Sequence, residues 1–252
     1  MKASIKQIYP PPTNLVSEFW REKYEKDAKK YWELFYKRNS NKFFKDRHYL
    51  HKEWGKYFEK VAPPANAKLQ GASSERPVIL EIGCGVGNTL FPLLDTYPNV
   101  FVHACDFSSR AVNLVKAHKN YKESHIHVFV LDVTTEDLTL CVPVQSVDVA
   151  TLVFSLSAMS PEKMPPVLQN IKRILKPEGH VLIRDYAFGD FAQDQQHSDL
   201  QERFVEAFRS AEFRSAVIAF RQQRSDLQQQ SATAFRFAAK ECGNSIIRDL
   251  QQ

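Results

Sequence analysis

Cysteine is scarce in this 252-residue chain: four residues, Cys84, Cys105, Cys141 and Cys242, with no CxxC pair and no histidines at ligand spacing beside them. Neither a disulfide framework nor a metal site is therefore expected, and a reducing compartment is. Long apolar runs are also missing, since none approaches the roughly 18 to 20 residues that span a bilayer. The stretch Met1 to Pro12 lacks the apolar core of a signal peptide and the Arg/Ser-rich amphipathic pattern of a transit peptide. The default address is the cytoplasm, with the nucleus left open. A net charge of only +5 and 43% hydrophobic residues are too mixed and too apolar for a disordered chain. The length suits one soluble domain of ordinary size, with or without an extension.

The charge is unevenly placed. Trp20 to Lys60 carries 13 Lys/Arg against 7 Asp/Glu, a local +6, so the remainder is close to neutral. All three tryptophans, Trp20, Trp32 and Trp54, fall in the same segment, interleaved with Tyr24, Tyr31, Phe35, Tyr36, Phe43 and Phe44. Basic charge beside stacking rings suits contact with phosphates and unpaired bases. The near-helical spacing of the rings equally suits a helix packed on a core with its lysines in water.

The chain divides into a basic aromatic arm (1–60), a linker (61–76) containing Pro63, Pro64 and Gly71, a core (77–193) and a Gln- and Arg-rich tail (194–252). In the core, apolar runs at Val78 to Ile82, Val100 to Ala104, Ile126 to Leu131, Val147 to Phe154 and His180 to Arg184 alternate with helical patterns. The helical patterns run from Asn88 to Asp95, Ser108 to Lys119 and Glu162 to Leu175. This predicts an α/β fold, a Rossmann-like parallel sheet covered on both faces.

Such sheets bind ligands beyond the carboxyl ends of their strands. Gly83, Gly85 and Gly87 follow the first strand, where missing side chains let the backbone turn and approach a ligand, although a tight turn alone has the same composition. Asp106 ends the second strand, 19 residues past Gly87, where a carboxylate can accept both hydroxyls of a ribose. The order Glu81-Ile-Gly-Cys-Gly-Val-Gly87 is E-x-G-x-G-x-G, not the GxGxxG of dinucleotide folds. It resembles the first motif of class I methyltransferases that use S-adenosylmethionine. In that pattern Asp132, ending the third strand, matches the acid near the adenine amine, and Val153 lines the adenine pocket. Asp132 also suits an N-cap for residues 134–138.

A narrower resemblance rests on Tyr31-Trp-Glu-Leu-Phe-Tyr-Lys-Arg-Asn39, Phe43-Phe-Lys-Asp-Arg-His48, the run Glu81 to Asn88, Ala104-Cys-Asp-Phe-Ser108, Met164 to Asn170, and Leu175-Lys-Pro through Arg184-Asp-Tyr186. Over about residues 18 to 193 the chain closely resembles the eukaryotic tRNA N3-methylcytidine methyltransferases of the methyltransferase-like family. The resemblance implies S-adenosylmethionine as cofactor and a cytosine of the tRNA anticodon loop as substrate. It also implies an arm folded over the cofactor, with Trp32 and Tyr36, one helical turn apart, on the closing face. Some family members need a tRNA-binding partner such as an aminoacyl-tRNA synthetase.

For the base, Arg184, Asp185 and Tyr186 end the fifth strand: Asp185 is expected to accept the cytosine amine, Tyr186 to stack and Arg184 to reach phosphate. An internal Arg184–Asp185 ion pair is the competing reading. Lys45, Asp46, Arg47 and His48 are expected at the anticodon arm, or else simply form a surface loop. Carbon-5 methylation would need a thiolate, and Cys141-Val-Pro is no Pro-Cys loop; Phe154-Ser-Leu-Ser157 is not the N/D-P-P-Y loop of many exocyclic-amine enzymes.

The tail departs from the family. Its Tyr-Val-Arg-x-Asp-Gly-Thr-Arg stretch is absent after Gln193, and helical patches are expected around Leu200 to Ala219 and Ala232 to Cys242, with Ala216 to Phe220 and Ala234 to Ala238 as alternative strands. A sheet without its last strands would expose an edge and lose substrate wall. Beside the enzyme reading this keeps a noncatalytic tRNA-binding or adaptor protein, and third a small-molecule methyltransferase.

Overall fold

Val78–Ile82 forms β1, apolar on both faces except for Glu81, and it occupies the inside of the sheet because each face meets a helical layer. The computed structural model describes residues 18–61, 76–186, 215–221 and 233–238. Two helices precede the sheet, α1 (Glu18–Asn39) and α2 (Leu50–Val61). After β1 come α3 (Leu90–Thr96), β2 (Phe101–Asp106), α4 (Ser109–Lys116), β3 (Ile126–Val130), β4 (Val147–Val153), α5 (Met164–Ile174), β5 (Leu175–Tyr186), β6 (Ser215–Arg221) and β7 (Thr233–Ala238).

The strand order is β3-β2-β1-β4-β5-β6-β7. Every pairing is parallel except that of β7 with β6. The order reverses between β2 and β4, on either side of β1, which places the ligand-binding crevice of a doubly wound sheet at the end of β1.

Period-two alternation sorts the side chains. Leu80, Ile82, Leu152, Val181 and Ile183 face the layer of α5, whose Met164, Val167, Leu168, Ile171 and Ile174 recur at helical spacing. Ile79, Val102, Val128, Val149 and Leu182 face Trp54 and Phe58 of α2, Leu90 of α3 and Val112 of α4. Pro165 and Pro166 sit in the first turn of α5, where a missing N–H costs nothing.

The tail differs from the main expectation. Where helical patches were expected over 200–219 and 232–242, the described parts are strands, β6 and β7, at the positions of the alternative reading. The apolar, β-branched run of β6 suits a sheet and pairs with the free side of β5, and β7 in turn pairs with β6. The rest of the tail, and nearly all of the linker, lie outside the described residues. The last helix of the core also ends earlier than expected: Leu175 already pairs with Val147, and the register then shifts before His180 meets Val149, so residues 176–179 bulge out.

At the other side of the sheet His103 of β2 faces His127 of β3, with their Nδ1 atoms 3.1 Å apart. Burial, helped by His127, pushes His103 down to about 4, so it is neutral when folded. The unfolded chain takes up that proton near pH 6.5, so this contribution to stability is lost as pH falls from 6.5 toward 4. His103→Leu is expected to flatten this acid limb, by roughly 2 kcal/mol between pH 7 and pH 4 in urea titrations of variant against parent.

Candidate functional site

Beyond Ile82 the chain makes three left-handed turns, Gly83 (φ 67°), Gly85 (φ 54°) and Gly87 (φ 89°). Gly85 carries the closest functional constraint. Its N–H donates to Asp106 Oδ2 at 2.9 Å, and a Cβ there would stand 3.0 Å from the Tyr36 hydroxyl. At Gly83 a Cβ would come within 2.7 Å of the Ser155 Cβ, so the loop and the end of β4 touch. The glycines are required by packing as well as by backbone angle.

Asp106 is the hinge of the loop. Its second oxygen accepts from the Ser108 N–H at 2.9 Å, while the Ser108 hydroxyl accepts from the Ala111 N–H as the N-cap of α4. Burial pushes the carboxyl up to about 6 against the lowering effect of both N–H bonds. The acid expected at a ribose thus also holds the glycine loop to the start of α4.

Glu81 lies beneath the loop, 2% exposed, and neither carboxylate oxygen makes a hydrogen bond of good geometry, the Thr89 hydroxyl and the Leu90 N–H approaching it only loosely. Burial raises it to about 7; Arg47, the Thr89 hydroxyl and the Leu90 N–H offset this in part from nearby. An unpartnered buried carboxylate at the floor of a glycine cradle is suited to a cationic group of a ligand.

The arm closes the cradle from above. Tyr36 is buried against Val86 and Ala111, and its ring stacks on Trp32 at 5.8 Å and 29°. Burial raises the phenol, helped by the nearby Asp106 carboxylate. Glu33 pairs with Arg110 of α4 at 3.2 Å, and Glu25 pairs with Lys163 at 2.8 Å, so α1 is clasped at two points along its length. Trp32 and Tyr36 therefore lie on the side of α1 that packs on the glycine loop and α4.

Asp132 follows the alternative weighed for it only locally. Its Oδ1 accepts from the Thr134 N–H and hydroxyl at 3.0 and 2.6 Å, and Glu136 reaches back to the Asp132 N–H at 2.7 Å, so the side chain closes a tight turn; the helix expected over 134–138 does not form. Val153 is buried at the end of β4, where the next residue, Phe154, has a left-handed backbone (φ 54°).

The segment 43–48 needs a correction. Lys45 and His48 are exposed, as an RNA contact requires. Arg47 is not an outward contact: its Nη1 donates to Thr89 Oγ1 at 3.0 Å, its N–H donates to Asn88 O at 2.8 Å, and its guanidinium lies 5.5 Å from the Phe154 ring. Asn88 returns the contact by donating its side-chain amide to Phe44 O and Asp46 Oδ1 at 3.2 and 3.0 Å. The loop is thus sewn to the start of α3, which is why that helix begins at Leu90 and not at Asn88. A cleft of about 320 Å³ lies between Phe44, Lys45 and Asp46 on one side and Phe91 and His118 on the other.

Arg184 is the second correction. Neighbouring residues of a strand face opposite ways, so Arg184 points to the α2 layer and Asp185 to the other. Arg184, 5% exposed, pairs with Glu53 of α2 and lies 4.8 Å from the Tyr49 ring, leaving neither a phosphate contact nor a pair with Asp185. Asp185, 4% exposed, accepts from the Ser157 N–H at 3.0 Å. The Tyr186 side chain lies outside the described residues. Sequence reasoning missed Glu53, Glu33 and Arg110, whose partners are remote; no local spacing marks them.

Among the described residues no three His, Cys, Asp or Glu side chains group as a metal site, and no helix is long and apolar enough to cross a membrane. A doubly wound sheet with an acidic glycine cradle at the end of its first strand and acids after the next two is the class I methyltransferase arrangement. A family profile described as a methyltransferase domain matches residues 80–181. The fold is shared with a SAM-dependent methyltransferase of Leishmania major, with a TM-score of 0.55 at 13% identity, covering 87% of this chain and 96% of that one.

The sequence is 43% identical over 181 residues to the tRNA N(3)-methylcytidine methyltransferase trm141 of Schizosaccharomyces pombe, covering 71% of this chain and 68% of that protein. It is 48% identical over 178 residues to the human tRNA N(3)-cytidine methyltransferase METTL6, covering 71% and 60%. The chain belongs to the tRNA N(3)-cytidine methyltransferase family. It spans 59 to 68% of the length of the yeast, rat and human relatives.

Proposed function

We propose that this chain transfers the methyl group of S-adenosylmethionine to N3 of a cytidine in the anticodon loop of cytoplasmic tRNA. The observation that carries the cofactor assignment is the cradle itself: Gly85 with room for no side chain, the Asp106 tie, and the unpartnered Glu81 below. S-adenosylmethionine would supply a methyl carbon that a nitrogen lone pair attacks directly, the carbon–sulfur bond breaking and the neutral thioether leaving with its electron pair.

Glu81 would face the cofactor's amino group, the loop N–H groups its carboxylate end, and Asp106 the ribose hydroxyls. Trp32 and Tyr36 exclude water from above. Cytosine N3 bears an in-plane lone pair at neutral pH, so no side chain has to remove a proton before attack; positioning is the main demand. The buried Asp185 carboxylate at the end of β5, which accepts from the Ser157 N–H, would stabilise the positive charge that methylation leaves on the base. Lys45 and His48 lie on the exposed side of the segment sewn to the cradle and would meet the RNA backbone.

The test incubates the full chain with S-adenosylmethionine and unmodified tRNA and measures N3-methylcytidine by nucleoside mass spectrometry. Its appearance supports the reading. One observation favours a noncatalytic protein instead: Arg184, expected to reach phosphate beside the reacting base, is paired with Glu53. Retained tRNA binding without the nucleoside, also in the presence of an added aminoacyl-tRNA synthetase, selects that alternative.

A second check targets the hinge. Asp106→Asn can accept only one of the two N–H bonds and turns its own NH2 toward the other. S-adenosylhomocysteine binding by calorimetry is expected to weaken about tenfold or more; unchanged affinity would remove Asp106 from the site.

A further inference from the structure

Ser160 joins two 3-10 turns, Leu156–Ala158 and Pro161–Lys163, and it stands apart in the chain. It is the only serine or threonine of the 252 residues followed by proline, and a lysine stands three places after it: Ser160-Pro-Glu-Lys163. Proline at +1 with a base at +3 is the pattern that proline-directed protein kinases read, since their groove takes an extended serine whose next residue has no N–H to satisfy. The backbone already has that form. Met159 (φ −114°, ψ 148°) and Ser160 (φ −68°, ψ 147°) are both extended, as the residue before proline must be.

The hydroxyl has a partner of consequence. Ser160 Oγ donates to Glu25 Oε1 at 2.9 Å, and the same oxygen takes Lys163 Nζ at 2.8 Å. Glu25 belongs to α1, 135 residues earlier, and this contact is one of the two clasps that hold the arm. The contact lies at the surface, with Ser160 itself half-buried.

We infer that Ser160 is a phosphorylation site for a proline-directed kinase, and that the phosphate releases the N-terminal half of α1 from the core. In the transfer the Ser160 oxygen forms a bond to the γ-phosphorus of ATP bound to the kinase. The bond from that phosphorus to the β,γ-bridging oxygen breaks, ADP leaves with the electron pair, and the serine proton passes to the kinase's aspartate.

The product reverses the clasp. A donor becomes an acceptor-only group of about −1.5 to −2 charge, set against the Glu25 carboxylate. Lys163, three residues on, exchanges Glu25 for the phosphate, so the arm loses a hydrogen bond and an ion pair and meets repulsion. The Glu33–Arg110 clasp and the buried Tyr36 are untouched, so release is confined to the first half of the helix.

The test treats the full chain with a purified cyclin-dependent-type kinase and ATP, alongside Ser160→Ala and Glu25→Gln. Phosphopeptide mass spectrometry is expected to find phosphate on Ser160 in the parent chain and in Glu25→Gln, and none on that peptide in Ser160→Ala. Amide exchange over residues 22–30 of the parent is expected to rise about fivefold on phosphorylation, and clearly less in Glu25→Gln, where the repelled charge is gone. No phosphate on Ser160 while the kinase consumes a reference peptide overturns the site. Phosphate with unchanged exchange over 22–30 overturns the release. Both readouts are independent of methyl transfer.

Discussion

Glu81→Gln is expected to make the folded chain more stable at pH 8, by roughly 3 kcal/mol, while weakening its hold on S-adenosylhomocysteine about tenfold. The carboxyl is fully enclosed and makes no hydrogen bond of good geometry, so burial outweighs the help of Arg47, Thr89 and Leu90 and ionisation in the fold takes place only near pH 7. In the unfolded chain it ionises near the ordinary value of 4.5. Between those two values the folded state holds the proton more firmly than the unfolded state, so raising the pH through this window draws the equilibrium toward unfolding. A neutral amide does not titrate.

The stability gap between the two chains should therefore be near zero at pH 4, open as pH rises, and level off above pH 7. Urea titrations of both chains at each pH test this, since other titrating groups, His103 among them, cancel in the difference. A constant gap would mean that Glu81 finds a counter-charge in the fold. The accompanying loss of ligand affinity is what separates a residue kept for binding from one kept for structure.

Glu53→Ala is expected to act the other way, costing about 2 to 4 kcal/mol, because it leaves the Arg184 guanidinium buried without its carboxylate. Arg184 is 7% exposed in its side chain and Glu53 28%, so part of the loss is softened by water at the Glu53 end. The Arg184 Nε already lacks a hydrogen-bond partner, and the Tyr49 ring gives only a π face. Glu53→Ala combined with Arg184→Met should recover most of the loss, since the charge is removed together with its partner. Urea midpoints of the parent, the single and the double variant decide it. A single variant as stable as the parent would mean that Arg184 reaches water.

What could be read from the sequence follows the range of each interaction. The strands of the core, the glycine cradle and the acids at or near the ends of β1, β2 and β3 are patterns of a few adjacent residues and stand close to where spacing put them, except that β5 begins at Leu175 and not at His180. At Asp132 the local polar turn was legible, since its partners Thr134 and Glu136 are two and four residues away, but the helix expected after it is only a turn. Arg184 and Asp185 were misread as neighbours in one crevice although strand alternation sends them to opposite faces, and the true partner, Glu53, is 131 residues away. Arg47 was read as a surface charge because its lock, Thr89, is 42 residues distant. The closing of α1 over Gly85 was legible through family resemblance, not through spacing. In the tail, β6 and β7 depend on the free side of β5 for their form, and local pattern alone favoured helices.

The clasp of Glu25 to Ser160 also sets a timetable for a ribosome making this chain. The helix leaves the exit tunnel before any strand of the sheet, yet its distal anchor is synthesised 135 residues later. At about 5 to 20 residues per second that is a wait of roughly 7 to 27 seconds. Val78 likewise waits 70 residues for Asp148. During this interval the aromatic arm has no sheet to lie on, and Phe19, Tyr24 and Tyr31, largely exposed even in the finished fold, are open to nascent-chain chaperones.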